Sequence, residues 1–591
     1  MVSRKTGKDE EWRLSKGTHT GSITVFMSLL LMIIASLLFT LLEGSRYMML
    51  GMTAVLNSQS VTESMFAEYQ APAYQNYHLF MMDSGYGGGE LMLSKVNARM
   101  QELGQENLNP VVRGFGKYSN FLQMNVTDSS VVRYELATDQ NAGPLLAQMS
   151  QVMKKEAVAD LAQQAYQKIT GIQQSDSQGK KTDKYLDGAL DTIEQAKEAA
   201  KESADATGLT GMKAVDIADL AETKAVDIAD LAVMKWMDAA GMSGMKEAGR
   251  SGKMNGVIGN IENKPFTERT QSYAAFTNES SDLPPQEVEH PMEQVKTAKS
   301  SPLLAQILSG SGGISAKQIS KEDAVERRTL NIGNLESSLS AGILDRALIM
   351  QYLKKYTANY QHQVAVPHAL AYEQEYLLCG KYSDEENLEK VAARLLLVRE
   401  GINFAYLMTD SAKKEEAFVM ASAIAAAAAI PGAVKAIQMG LLASWAYAES
   451  IVELRTLFSG GKIAAIKSAG NWNVSLSQTA SVLFQTSVKA REVSNGLEYE
   501  DYLLAFLALE SLPKIGNRFA NLLEKNLRLY AGYDQLKLDC MITAMDAEHA
   551  YHARQAFLTF VTVGQVSKNG YEFKERYNFS YTDTNKSKSE D

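Results

Sequence analysis

The alternation of apolar and polar positions changes character several times along the chain, and each change predicts a different element. From Ile23 to Leu42 the run ITVFMSLLLMIIASLLFTLL carries no charge. As a helix it covers about 30 Å, the hydrocarbon thickness of a bilayer. A secretory signal is the poorer reading, because its apolar stretch is shorter and ends at a small-residue cleavage site, whereas this run closes on LLEGSRYMML. A transmembrane helix is therefore predicted over 22–43, with Ile23, Phe26, Leu30, Ile34, Leu38 and Leu42 as anchoring residues. Apolar residues keep near-helical spacing afterwards, so the helix is expected to continue as a stalk over 44–72, ending near Ala71-Pro72.

The next patterns are shorter. Leu79–Met82, Leu122–Val126 and Val131–Leu136 read as strands, the last two separated by a turn, and open a sheet region over 73–142. Residues 143–241 are rich in Ala, Lys, Glu, Asp and Gln and hold a tandem copy, KAVDIADLAET at Lys213 and KAVDIADLAVM at Lys224. A repeat of eleven residues keeps Ile217, Leu220, Ile228 and Leu231 on one stripe, which predicts a protruding helical or coiled-coil insertion. Turn and breaker residues crowd 242–315, which reads as a linker. Helical patterns resume over 316–555, with a capping box at Ser383 and Glu386. At the C-terminus, Phe557–Val563 and Tyr571–Tyr581 flank Lys568-Asn569-Gly570 as a hairpin within 556–583, and the tail 584–591 reads as disordered. Isolated hairpins are marginal in water, so the early and late strands are expected to share one sheet.

The apolar segment Ala417–Val434 is long enough to be weighed as a second span. It is alanine-dominated, contains Pro431-Gly432 and is bracketed by lysines on both sides, so it reads as a buried helix. The fold class is therefore α+β and predominantly helical: an N-terminal transmembrane helix, a protruding helical segment, and a small antiparallel sheet of early and C-terminal strands.

Composition sharpens orientation more than chemistry. Arg4, Lys5, Lys8, Arg13 and Lys16 precede the apolar run, against Arg46 alone just after it, which places the basic leader 1–21 in the cytoplasm and the rest outside. The net charge of −10 disfavours a nucleic-acid partner. Cys379 and Cys540 are enough for one bridge, although a buried free thiol is the commoner state of an isolated cysteine.

Candidate chemistry is sparse. The glycine runs at Gly85 and Ser459 match no phosphate-binding loop, and no nucleophile elbow is present. In DAEHAYHAR, Asp546, Glu548, His549 and His552 offer the nearest approach to a metal site, with His549 and His552 at i, i+3, but no third ligand is apparent, and an exposed polar helix face is the preferred reading. Trp445, Glu449 and Glu453 fall at i, i+4, i+8 and lead toward Arg455; Tyr499, Asp501, Tyr502, Arg518 and Asn526 are further candidates for the same cluster. Buried carboxylates need partners, so a structural Glu–Arg or Glu–Lys network is expected here in preference to a substrate site. No cofactor, metal or small-molecule substrate is implied.

GSITVFMSLLLMIIASLLFTLLEGSR, YHLFMMDSGYG, EYLLCGKYSDEENL, WAYAESIVELRTLFSGGKIAAIKS and YEDYLLAFLAL together resemble an uncharacterised family of membrane-anchored proteins of clostridia-like Gram-positive bacteria. The N-terminus of that family resembles the TadE/TadG-like pseudopilins of tight-adherence pili. The resemblance implies an accessory role in a Tad-like pilus or secretion apparatus, with the membrane and the proteins of that assembly as partners, and makes Gly21-Ser22 the candidate processing point. Phe26 departs from the pilin signature, which carries glutamate there. The reading from another class is an envelope sensor or hydrolase using Glu449 and Glu453.

Overall fold

The computed structural model describes residues 20–109, 111–112, 116–117, 122–155, 291–308, 313–335, 343–428, 430–557 and 570–582. Residues 1–19 of the leader, the eleven-residue repeat, most of the expected insertion and linker, Leu558–Val563 and the tail lie outside these residues. The chain divides into two units. The first comprises 1–148, 329–339 and 530–591, and the second 149–328 and 340–529.

The first unit contains α1 (Thr20–Ala67), α2 (Ala71–Tyr77), β1 (Met82–Asp83), α3 (Leu93–Leu108), a ribbon of β2 (Val111–Val112) and β3 (Gly116–Lys117), β4 (Met124–Leu136), the start of α4 (Asp139–Lys155), β5 (Met541–Ala553) and β6 (Tyr571–Ser580). Helix α1 is continuous over 48 residues, as the uninterrupted helical pattern predicts. Its surroundings change at Glu43. Before that point the apolar side chains are exposed all round; after it Leu50, Ala54, Val61, Met65 and Phe66 are buried at helical spacing. The expected stalk is thus the core helix of the unit, each of its larger buried side chains, Leu50, Val61, Met65 and Phe66, contributing about 1.5–3 kcal/mol by burial. The helix ends at Ala67, and Pro72 opens α2 instead of closing α1, in keeping with proline's preference for the first helical turn.

Early and late strands do form one antiparallel sheet, with β5 at its centre. It pairs with β4 from Met124↔Ala553 to Leu136↔Ile542, with β6 from Ala544↔Ser580 to Ala553↔Tyr571, and with β1 at Met82↔Ile542. Three details differ from the sequence reading. The 79–82 strand shrinks to Met82–Asp83. The turn expected between 126 and 131 is absorbed as bulges in one strand, with register shifts at Val126/Asp128 and Val131/Arg133, because β5 offers pairing along the whole length. DAEHAYHAR is the middle of β5 and not a helix face; alternation sends His549 and Tyr551 inward, while Asp546 on the other face is paired with Arg133 and Arg576.

Of the expected terminal hairpin, Phe557 and Tyr571–Tyr581 are described. An arm at Phe557–Val563 folded back on Tyr571–Tyr581 would bring Phe557 beside Tyr581. Tyr581 packs on Phe66, whereas Phe557 stacks on Phe39, about 40 Å away along α1. The described partner of β6 is β5.

The second unit is helical: the rest of α4, α5 (Pro291–Lys299), α6 (Leu303–Ile307), α7 (Ile343–Tyr356), α8 (Glu373–Cys379), α9 (Asp384–Thr409), α10 (Ser411–Ala427), α11 (Val434–Phe458), α12 (Thr479–Leu483), α13 (Tyr499–Leu509) and α14 (Leu512–Leu527). Helices α5 and α6 lie in the segment read as linker, yet Met292, Val295, Leu304 and Ile307 are buried. Helix α9 starts at the N-cap Ser383, whose side chain accepts from the Glu386 amide, the N-cap half of the expected box. The second apolar run packs one face: Ala417, Ala421, Ile424 and Ala425 are buried while Val419 is exposed, and the helix stops before Pro431. Among the described residues, only Ile23–Ala67 is long and apolar enough to cross a membrane. Both cysteines are free thiols. The helical domain expected over 316–555 ends at Leu529, since residues 530–591 belong to the sheet unit.

Candidate functional site

Helix α11 is apolar on every side and buried from Ile437 to Phe458, the signature of a central core helix. Glu449 and Glu453 sit one turn apart on it, so each needs partners from its surroundings. Arg399 of α9 supplies a two-pronged bond to Glu453, Nε to Oε2 at 2.9 Å and Nη2 to Oε1 at 2.8 Å. The Nδ2 of Asn403, one turn beyond Arg399, donates to the same carboxylate at 2.8 Å. Lys467 lies between the two acids, 2.5 Å from Glu449 and 2.7 Å from Glu453. Glu449 also accepts from the amides of Asn473 and Val474 and from the Asn473 side chain. Tyr502 closes the far side, its hydroxyl accepting from Arg399 at 3.1 Å.

Two carboxylates thus face two cations, all nearly inaccessible to solvent. Burial alone would raise Glu453, but Arg399 and Lys467 outweigh it and bring the carboxyl down to about 2. For Glu449 burial prevails and the shift is upward, with Lys467 opposing it. Trp445 anchors the neighbouring loop through Nε1 to the Val474 carbonyl at 2.7 Å, and the Lys413 ammonium rests over Trp445 and Trp472.

The expected network therefore exists, with a changed membership. Trp445, Glu449, Glu453 and Tyr502 come together as read from the sequence. Arg455 points elsewhere on α11 and donates to the carbonyls of Gln306, Val482, Leu483 and Gln485, with burial lowering it to about 10. Arg518 caps the end of α8 through the carbonyls of Leu377 and Leu378, beside Gly380 in its left-handed conformation. The essential cations, Arg399 and Lys467, were missed. Arg399 and Asn403 recur at i, i+4 within the apolar pattern of α9, which is a readable sign of a polar spot on a buried face; Lys467 in its loop has no such sign.

Other members of the sequence reading join a second buried cluster. Tyr499 donates to Glu375 at 2.8 Å and Asn526 to Glu373 at 2.6 Å, while His368 lies 2.7 Å from Glu373. Glu375 accepts from the Tyr360 amide as well, and burial without a counter-charge in contact pushes it up to about 7. Asp501 instead closes the N-terminus of α13 through the Glu498 amide. Among the described residues no grouping of His, Cys, Asp and Glu has the arrangement of a metal site. An open groove of about 300 Å³ lies between Leu303, Leu396, Leu397, Tyr447 and the Lys299–Glu400 pair.

In the first unit the anchoring residues Ile23, Phe26, Leu30, Ile34, Leu38 and Leu42 are all exposed. Gly21 and Ser22 lie in the first turn of α1. The first charges after the span, Glu43 and Arg46, are buried and paired at 2.9 Å.

A family model described as a family of unknown function (DUF5702) matches residues 281–553. No curated protein and no solved structure matches the chain.

Proposed function

We propose that this chain is a non-enzymatic protein of the bacterial envelope, with its N-terminus in the cytoplasm and its folded units outside. In this reading it acts as a minor pseudopilin-like or accessory component of a Tad-like pilus or secretion apparatus. The observation that carries the reading is the change of surroundings along α1: exposed and uncharged from Ile23 to Leu42, then packed into the core of a sheet unit beyond Glu43. One helix is both anchor and scaffold, which suits a protein that presents its folded part at a fixed height above the membrane for assembly. The commitment of Glu449 and Glu453 to Arg399, Lys467 and backbone amides supports the same reading, because it occupies the carboxylates that a hydrolase would employ.

Cross-linking in intact cells, followed by purification of the full chain, is expected to recover pilus or secretion components, and external protease after wall removal is expected to cut beyond Ala71. Protection from that protease, or capture of cytoplasmic partners alone, would overturn the proposal.

A further inference from the structure

The region where α1 leaves its apolar exposed stretch is more than a boundary. The backbone amides of Ala556 and Phe557 donate to Glu43 at 3.2 and 2.8 Å, and Arg46 reaches from Glu43 to the Leu122 carbonyl. This fixes Phe557 so that its ring stacks on Phe39, with centroids 6.3 Å apart and planes 12° from parallel. Phe39 lies four residues before Glu43, about 6 Å back along the helix toward the apolar end. Any bilayer that covers Ile23–Leu42 therefore also reaches Phe557. A bilayer stopping below Phe39 would leave Ile23–Leu38, about 24 Å of helix, short of a hydrocarbon core of about 30 Å.

The surroundings fit that depth. Tyr47 is 48% exposed and meets Tyr571 edge-on at 5.1 Å, so aromatic side chains ring α1 from Phe39 to Tyr47, as they do where proteins cross the interfacial layer. Met48 and Met49 beside Tyr47 are exposed and apolar, and the two charges within this stretch are turned inward onto each other.

We propose that this rim is a membrane-seating surface: Phe557, together with Phe39, Tyr47 and Tyr571, enters the interfacial layer, so that the sheet unit rests on the lipid and does not stand clear of it. The occupant is a phospholipid bilayer, and the inference rests on the membrane-spanning reading of Ile23–Leu42.

The test uses the full chain in phosphatidylcholine vesicles whose acyl chains carry bromine either near the headgroups or near the bilayer centre. The added tryptophan emission of Ile34→Trp, Phe557→Trp, Tyr47→Trp and Tyr86→Trp is read over that of the native protein. Tyr86 bonds to Glu68 at 3.1 Å, near the far end of α1, and serves as the remote control. Bromine near the headgroups is expected to quench Phe557→Trp strongly and Tyr47→Trp partly, bromine near the centre to quench Ile34→Trp, and neither to quench Tyr86→Trp. Quenching at Ile34 with none at Phe557 or Tyr47 overturns the seat while leaving the span. Absence of quenching at Ile34 overturns the span and the seat with it. The Tyr47 variant keeps the question decidable should the Phe557 variant fail to fold.

Discussion

Where α1 packs beneath the sheet from Leu50 to Phe66, the buried polar groups are neutral, whereas around α11 they are ionic. His549 lies between two hydroxyls, 3.0 Å from Ser129 Oγ and 3.2 Å from Thr62 Oγ1, and Ser58 bonds Tyr551 at 2.8 Å. A neutral imidazole satisfies both neighbours, since one ring nitrogen donates and the other accepts. The α11 core instead matches two carboxylates to two cations. The difference teaches how each unit is held. Neutral bonds along α1 fix its register on β4 and β5 at little desolvation cost, while an ionic core is stable only as a complete set, because each member left alone is a buried charge.

The largest expected effect comes from that completeness. Replacing Glu453 by leucine leaves Arg399 and Lys467 facing Glu449 alone, and should cost the helical unit about 3–5 kcal/mol. The double change Glu453→Leu with Arg399→Met should recover a large part of this. Hydrogen exchange in α9 and α11, measured on the full chain in detergent, reads both. A double variant no better than the single one would show that the network is not acting as a set.

Next comes pH, where the two units should respond in opposite directions. Burial lowers His549 to about 4. Its unfolded value is about 6.5, so the unfolded chain binds more protons between these values, and the sheet unit should lose stability as pH falls from 6.5 through 4. Glu375 is raised to about 7. Its unfolded value is about 4.3, so here the folded state binds more protons, and the helical unit should lose stability as pH rises from about 4.3 through 7. Each effect is at most on the order of 3–4 kcal/mol. Exchange at β5 against exchange at α8 and α13, followed from pH 4 to 8, should show the crossing trends. His549→Asn and Glu375→Gln should each flatten one trend and leave the other; parallel trends would break the contrast.

The smallest effect concerns a loop that clamps the sheet unit. Gly333 and Leu136 both donate to Asp139, and Asn334 exchanges bonds with Tyr134, so the 331–335 segment lies along the edge of β4. A Cβ at Gly333 would meet the Asp139 carboxylate and the Tyr134 carbonyl. Gly333→Ala should therefore cost about 1–3 kcal/mol, seen as faster exchange in β4 with little change in the helical unit. An unchanged β4 would mean that the loop does not restrain the edge.

Much of this was legible in residues. The uncharged Ile23–Leu42 run, the helical pattern carried past it, and the β-branched and aromatic alternation of 122–136 and 571–581 each express a local period that the structure keeps. The spacing of Trp445, Glu449 and Glu453 likewise announced a polar site on a buried helix. DAEHAYHAR failed as a guide because its alanines, acids and histidines carry little strand preference; it is a strand because β4 and β6 pair with it on both sides. At Phe557 the turn signal was silent in another way, since a local pattern could not reveal that Glu43 and Phe39, in the middle of α1, hold that residue.

The sequence by itself determined the properties that depend on a side chain and its near neighbours: a charge-free length sufficient for a bilayer, a helix unbroken by proline, and acids repeating on one helical face. Tertiary structure alone decided which cation meets which acid and what Glu43 pairs with. It also decided that the expected stalk is a core. Those outcomes are set by contacts between residues far apart in the chain, Arg399 with Glu453 and Glu43 with Phe557. Local periodicity carries no record of such partners, and a buried charge takes whichever partner the packing brings within hydrogen-bond reach.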